Sequence, residues 1–314
     1  MTVTLDGRSA IVTGAGAGLG KAEALGLAAA GARLVVNDLD KEALNACVEE
    51  ITAAGGQAVA VAGDIGETPT GQQLIQSAID EYGQLDIVVN NAGLVRDRMV
   101  FSMSEQEWDL VLKVHLKGHF NTTRFATAYW RQRSKEQGGP VYARIVNTTS
   151  EAFLFGSPGQ PNYAAAKAGI TALTLSTARG CGRYGVRANA IAPRARTAMT
   201  EGLMSEPEEG QPDPLAPEHV VPLVAYLSSP AAAGINGEVF VVHGGVAALM
   251  AAPSVRAVAR ASEHGSPDGM WTLDSIEAAL RPLFSETEPA GKGFACDETA
   301  DLADETIGIP SNRS

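Results

Sequence analysis

Cysteine is scarce in this 314-residue chain, with three in all, Cys47, Cys181 and Cys296, widely spaced and with no C-x-x-C pair. An odd, scattered set of thiols argues against a disulfide framework and a zinc knuckle, and makes a reduced, cytoplasmic setting the expectation. Basic charge is also short. Lys and Arg number 24 against 36 Asp and Glu, a net charge of −12, and the pI is about 4.9. The basic footprint of a nucleic-acid binder is therefore missing. No long apolar run exists either. The most apolar long stretch, around Ile235–Val255, is interrupted by Glu238, His243 and several glycines, too broken to span a membrane. The opening MTVTLDGRSAIVTG has no charged region followed by an apolar run, so no signal peptide is expected. The closing SNRS matches no lipidation or sorting signal, and no internal repeat is evident.

Hydrophobic residues make up 45% and charged residues 19%, a globular composition. The length allows two domains, or one large α/β domain with an extension. The acidity is uneven. From Glu263 to Ser314 there are 11 acidic and 3 basic residues, a net −8, which leaves −4 for the first 262.

Short β-branched runs alternate with longer Ala/Leu-rich segments. The runs are 9–13, 33–37, 57–63, 85–90, 143–149, 187–192 and 238–242, and helices are predicted near 18–30, 41–54, 70–82, 105–137, 160–182 and 218–228. Strands apolar along their whole length are buried on both faces, as in a parallel sheet covered by helices. The chain reads as α/β: a Rossmann-type doubly wound parallel sheet of about seven strands, helices on both faces, plus a C-terminal extension. RSKEQGGP (133–140) and the proline-rich SEPEEGQPDPLAP (205–217) read as loops. The strand rhythm stops beyond Gly245. That divides the chain into a catalytic domain over 1–245 and an extension over 246–314. The extension holds one amphipathic helix, TLDSIEAALRPLF (272–284), and then an acidic arm. The arm is expected to wrap a partner subunit or close over the site.

The first strand runs into Thr13-Gly14-Ala15-Gly16-Ala17-Gly18-Leu19-Gly20, and a helix follows. Glycine suits a backbone that must turn tightly or approach a pyrophosphate, and the helix N-terminus offers free N–H groups to it. Strand before and helix after give this cluster its weight, since a tight βα turn alone would also use glycine. Asp38 ends the second strand, 18 residues past Gly20. A carboxylate there can accept both adenosine ribose hydroxyls and repel a 2′-phosphate. Its neighbours Asn37 and Leu39, like Ala15 and Ala17 of the loop, bring no cation, which favours NAD over NADP. The alternative for Asp38 is an N-cap for the helix beginning at Lys41. Asp64 ends the third strand, where it could read an adenine amino group or be an ordinary loop residue.

Asn90-Asn91-Ala92-Gly93 ends the fourth strand, and Ser150 the fifth; Tyr163 follows 13 residues later and Lys167 four after that. Residues at i and i+4 share one helix face. An ammonium held beside a phenol, with the positive nicotinamide, favours the phenolate and lowers a pKa of about 10. Tyr163 would then serve as acid/base, with Ser150 holding the substrate oxygen. Y-x-x-x-K alone is a weak signal that surface helices supply by chance. The serine and the upstream nucleotide motifs make it specific. Two other constellations fail. His115 and His119 have the spacing of a zinc-protease helix, but Leu116 stands where the catalytic Glu belongs. Gly156-Ser157-Pro158-Gly159 is not a nucleophile elbow.

Taken together, TGAGAGLG, NNAG, the serine, YAAAK and the IAP of Ile191–Pro193 resemble the short-chain dehydrogenase/reductase family over about residues 4–245. Segments 88–99, 107–120, 159–170 and 191–200 are similar to one branch of it. That branch is the NAD-dependent (3R)-hydroxyacyl-CoA dehydrogenase unit of the peroxisomal D-specific multifunctional β-oxidation enzymes (17β-hydroxysteroid dehydrogenase type 4) and their stand-alone bacterial relatives. The likeness implies NAD as cofactor and an acyl-CoA thioester or a steroid as substrate. It also implies a homodimer or homotetramer. It implies a cofactor site on Gly14, Gly18, Leu19, Gly20, Asp38, Asp64, Ile65, Asn91, Ala92, Gly93, Tyr163, Lys167, Pro193 and Thr197. The catalytic set it implies is Ser150, Tyr163, Lys167 and His115. His115 departs from the superfamily, which mostly has an Asn there that anchors a relay water. It reads either as the relay's replacement or as a structural histidine. Arg194 stands where the family has glycine, and with Arg196 it could meet a CoA phosphate or be solvated. Two rivals remain: a biosynthetic 3-oxoacyl thioester reductase, which Asp38 disfavours, and a non-catalytic nucleotide sensor, which the intact Ser–Tyr–Lys set disfavours.

Overall fold

In the computed structural model the chain is described at residues 3–197, 213–265, 268–285, 295–296, 299 and 302. Residues 198–212, with much of the proline-rich loop, and most of the acidic arm lie outside the described residues.

β1 (Ser9–Thr13) is buried at every position, as a central strand covered on both faces must be. It leads into α1 (Gly18–Ala29), β2 (Arg33–Asp38), α2 (Lys41–Ala53), β3 (Gln57–Ala62), α3 (Thr68–Tyr82) and β4 (Ile87–Asn90). The second half runs α4 (Glu105–Leu112), α5 (Gly118–Glu136), β5 (Ala143–Thr148), α6 (Ala152–Phe155) and α7 (Pro161–Cys181). It continues with β6 (Val186–Pro193), α8 (Val221–Leu227), β7 (Val239–His243) and β8 (Val246–Leu249). The sheet order is β3-β2-β1-β4-β5-β6-β7-β8, parallel except for the last pair. The chain reverses its direction of winding between β1 and β4, which opens a crevice at the carboxyl ends of those strands.

Alternation along each strand divides the core into two layers. Val12, Val89, Val146 and Val242 pack with Leu19 and Leu27 of α1 on one face. Ile11, Val88, Ile145 and Ala188 pack with Leu74 of α3 and Trp130 of α5 on the other.

Two departures from the sequence pattern bear on the site. The sheet has eight strands, one more than expected, and the strand rhythm continues past Gly245. Gly244 adopts φ +48°, so Gly244-Gly245 closes a two-residue hairpin that pairs His243 with Val246 and Phe240 with Leu249. A Gly-Gly pair between apolar runs is a hairpin signal. Secondly, the long helix expected over 105–137 is broken by one π-helical turn, Lys113–Lys117. α4 starts at a capping box in which Ser104 and Glu107 satisfy each other's backbone. The π turn then inserts an extra residue at His115, the kind of local bulge often found beside sites.

The chain forms two compact units, Met1–Met250 with Asp297–Ser314, and Ala251–Cys296. The second holds α9 (Leu273–Ser285), within one residue of the expected helix at both ends. Among the described residues no helix is long and apolar enough to cross a membrane.

Candidate active site

The glycine loop is built to let backbone approach backbone. A Cβ at Gly14 would lie 2.8 Å from the Ala92 Cα, and one at Gly20 would lie 2.1 Å from the Gly14 carbonyl oxygen. Gly14 and Gly18 also hold φ of +69° and +53°, which other residues adopt at a cost. Thr13 ties this loop to the end of β4, its Oγ1 accepting from the N–H groups of Asn91 at 3.0 Å and Ala92 at 3.2 Å. The Asn91 side chain donates back to the carbonyls of Thr13 and Gly14. No side chain caps α1, so its first N–H groups are open to an anion.

A cavity of about 290 Å³ lies over these turns. Its lining brings together Gly14, Gly18, Leu19 and Asp38 with Asn91, Ala92, Gly93, Pro193 and Thr197, and with His115, Tyr163 and Lys167. Gly20 lies just behind, packed on Gly14 and Asn91. Asp38 accepts the Gly16 N–H at 2.9 Å. The N-cap of α2 is Asp40 instead, accepting from Glu42 and Ala43, so Asp38 is not spent on capping. Asp64 and Ile65 do not line the cavity. The Asp64 carboxylate is tied to Lys113 Nζ at 2.8 Å and to the Gly66 N–H. Ile65 is buried beneath Gly118.

Lys167 is buried, and its Nζ donates to the Thr148 carbonyl at 2.6 Å, 5.3 Å from the Tyr163 ring centroid. Burial pushes Lys167 down to about 7, against a pull upward from Glu23. Burial also raises Tyr163, while a hydrogen bond with Ser150 lowers it. Spacing alone has the lysine ammonium lowering Tyr163. In the folded chain desolvation of the phenol outweighs every other influence, and the lysine's own charge is weakened by burial. α7 is set by Asn162, whose side chain donates to the carbonyls of Arg96 and Glu107 and accepts the Tyr163 N–H. Ser150 Oγ accepts the Ala152 N–H at 3.2 Å.

The π turn delivers His115 edge-on to Tyr163, with ring centroids 5.2 Å apart. Its Nε2 meets the backbone of Leu94, 3.0 Å from the nitrogen and 2.7 Å from the oxygen. A Cβ on Gly93 would sit 2.2 Å from its Cε1. Burial holds His115 well below 6.5, so the imidazole is neutral. His119 bonds the His115 carbonyl through Nδ1 and is pushed down to about 3 by burial.

Several groups here escape sequence reasoning. Thr148, Thr149 and Ala195 line the cavity with no motif to mark them. Arg194 forms a two-pronged ion pair with Glu151, at 2.7 and 2.9 Å, and donates to the Thr299 carbonyl. Arg196 pairs with Asp213 at 2.8 Å. Both arginines are committed to carboxylates within the chain.

A glycine cradle at the switch point of a doubly wound sheet, in one cavity with a half-buried tyrosine and a buried lysine, fits a nicotinamide dinucleotide. It defines an oxidoreductase. The chain belongs to the short-chain dehydrogenase family, whose model matches residues 8–208. It is 54% identical over 307 residues to the hydroxyacyl-CoA dehydrogenase ChsB1 of Mycobacterium tuberculosis, covering 94% of each chain. It is 41% identical over 275 residues to a peroxisomal hydratase-dehydrogenase-epimerase of Neurospora crassa, covering 83% of this chain and 29% of that one. A crystal structure of a short chain dehydrogenase from Mycobacterium avium superposes with a TM-score of 0.81 at 45% identity, over 91% of this chain and 97% of that chain.

Proposed function

We propose that the protein is a cytoplasmic NAD-dependent dehydrogenase that oxidises a (3R)-hydroxyacyl-CoA to the 3-oxoacyl-CoA, acting as a homodimer or homotetramer. The observation that carries the reading is one cavity lined by the glycine loop, Asp38, Tyr163 and Lys167. The substrate class is supported by the hydroxyacyl-CoA dehydrogenase similar over nearly the whole chain.

NAD⁺ bound along the cavity supplies a hydride acceptor. Gly14, Gly18, Leu19 and Gly20 hold its pyrophosphate with backbone N–H groups, and Asp38 accepts its adenosine ribose hydroxyls. Asn91, Ala92, Gly93, Pro193 and Thr197 would hold its nicotinamide half, and Asp64 and Ile65, which do not line the cavity, would border an adenine reaching beyond it. Ser150 Oγ hydrogen-bonds the substrate oxygen, and Tyr163 Oη takes the hydroxyl proton. Lys167 binds the nicotinamide ribose and, once protonated, favours the Tyr163 phenolate. His115 fixes Leu94 and the Gly93 turn against Tyr163, and its Nδ1, buried with no hydrogen-bond partner among the described residues, is the atom through which a proton relay would run. The catalytic domain spans 1–245 together with β8, and the remainder is an extension.

The test is NADH absorbance on a panel of (3R)- and (3S)-hydroxyacyl-CoAs and hydroxysteroids. Turnover of the (3R)-thioesters is expected. Activity on steroids alone would replace the substrate, and silence across the panel would reject the dehydrogenase. A preference for NADPH in the reducing direction would instead favour the biosynthetic thioester reductase.

A further inference from the structure

The ladder between β5 and β6 closes at Thr148 and Ile191, with one more bond from the Thr149 N–H to the Ile191 carbonyl at 2.7 Å. Beyond it no backbone bond joins the two chains among the described residues. One carries Ser150, and the other carries Pro193, which lines the cavity. Each of these residues is followed at once by a charged one, Glu151 and Arg194.

Those two charges meet. Arg194 Nε and Nη2 reach the Glu151 carboxylate at 2.7 and 2.9 Å, and such a fork fixes direction as well as distance. The Glu151 side chain is 8% exposed and that of Arg194 23%, so the pair is little screened by salt. Both ends are anchored. The Arg194 N–H donates to the Val242 carbonyl of β7 at 3.0 Å, and its Nη2 also donates to the carbonyl of the buried Thr299. The Glu151 carbonyl accepts from Leu154 and Phe155 as α6 begins, and the Ser150 hydroxyl accepts the Ala152 N–H in the same turn. A frame thus runs from β7 through Arg194 and Glu151 to the turn that holds Ser150. Glycine at 194 could make no such bond, so the clasp is a property of this chain's own side chains.

We propose that Arg194 and Glu151 are positioning residues, a clasp that sets the separation of Ser150 from Pro193, and so of the substrate oxygen from the nicotinamide. This rests on the roles given to Ser150 and Pro193 in the proposed function. Reacting atoms must be held close to contact, and a displacement of about 1 Å costs about 100-fold. Without the clasp each chain keeps its own backbone bonds, at Thr149 and at Val242, so the cofactor still binds while the alignment across the site is lost.

Removing both charges together separates this role from the cost of stranding a buried carboxylate, because replacing a whole buried pair is usually tolerated. The double variant Arg194→Met with Glu151→Gln should fold with a Tm near that of wild type and keep its NAD affinity by calorimetry. Its kcat on the best (3R)-thioester should fall by about 100-fold, with a larger isotope effect for deuterium at the transferred position. In Arg194→Ala, where Glu151 still stands, guanidinium below denaturing concentrations should return part of the lost kcat, and it should return none in the double variant. A folded double variant with wild-type kcat overturns the proposal, as does a loss confined to NAD affinity. If the double variant does not fold, Arg194→Lys, which keeps the charge and gives up the fork, should lower kcat with NAD affinity held, and wild-type kcat there is equally fatal. A wild-type protein silent on every thioester strikes the dehydrogenase reading and the clasp's role with it. An active wild type matched by the double variant strikes the clasp alone.

Discussion

Replacing Asp38 should change which dinucleotide the enzyme accepts. Its Oδ2 takes the Gly16 N–H at 2.9 Å, and a Cβ on Gly16 would approach that oxygen to 2.9 Å. The carboxylate is therefore fixed against the loop that would carry the adenosine ribose. A 2′-phosphate about 4 Å away would be repelled by about 4 kcal/mol at an effective dielectric near 20. Halving this for a site open to solvent leaves about 2 kcal/mol, roughly 30-fold in affinity. Ribose hydroxyls lose a charged acceptor at the same time, about 1.5–3 kcal/mol, or roughly 10- to 100-fold against NAD. Asp38→Ala should thus shift the ratio of kcat/KM for NAD over NADP by about three orders of magnitude. Asp38→Asn keeps an acceptor for Gly16 while removing the charge, so it should retain loop stability and show mainly the gain for NADP. Steady-state assays with both cofactors on wild type and both variants measure this. A ratio unmoved in Asp38→Ala would refute the ribose assignment and with it the case for NAD.

The remaining expectations concern chemistry and stability. Tyr163→Phe should abolish turnover and leave NAD affinity, measured by calorimetry, nearly intact; residual turnover close to wild type would sink the proton transfer assigned to Tyr163. Gly93→Ala forces a Cβ onto His115, and should lower stability by about 1–3 kcal/mol and kcat with it, whereas a neutral result would show that the ring moves freely. Arg194→Ala strands the buried Glu151, a loss of about 3 kcal/mol or more readable in chemical denaturation. Glu23 carries a linkage signature as well. Its carboxyl is raised from 4.5 to about 8, so the folded protein keeps a proton that the unfolded chain has already released. That contributes stability below about pH 4.5 that is lost as pH climbs through 8. Glu23→Gln should flatten this part of the unfolding free energy against pH, and an unchanged slope would mean that Glu23 does not titrate as burial dictates.

Local pattern in the sequence determined the α/β alternation, the glycine turn after β1, the carboxylate ending β2 and the Tyr–Lys pair one helical turn apart. Each depends on residues close together in the chain, whose spacing alone sets a turn or a shared face. Tertiary structure decided the rest. It placed Asp40 rather than Asp38 at the N-cap of α2. It put a π turn into the long helix at His115, whose ring fills the space Gly93 leaves. It spent Arg194 and Arg196 on Glu151 and Asp213, partners that sequence distance hides. It also sank Glu23 on the buried face of α1. In an amphipathic reading of α1 that glutamate is an unremarkable polar residue. Its protonation depends first on desolvation by the folded chain, and no local pattern encodes that.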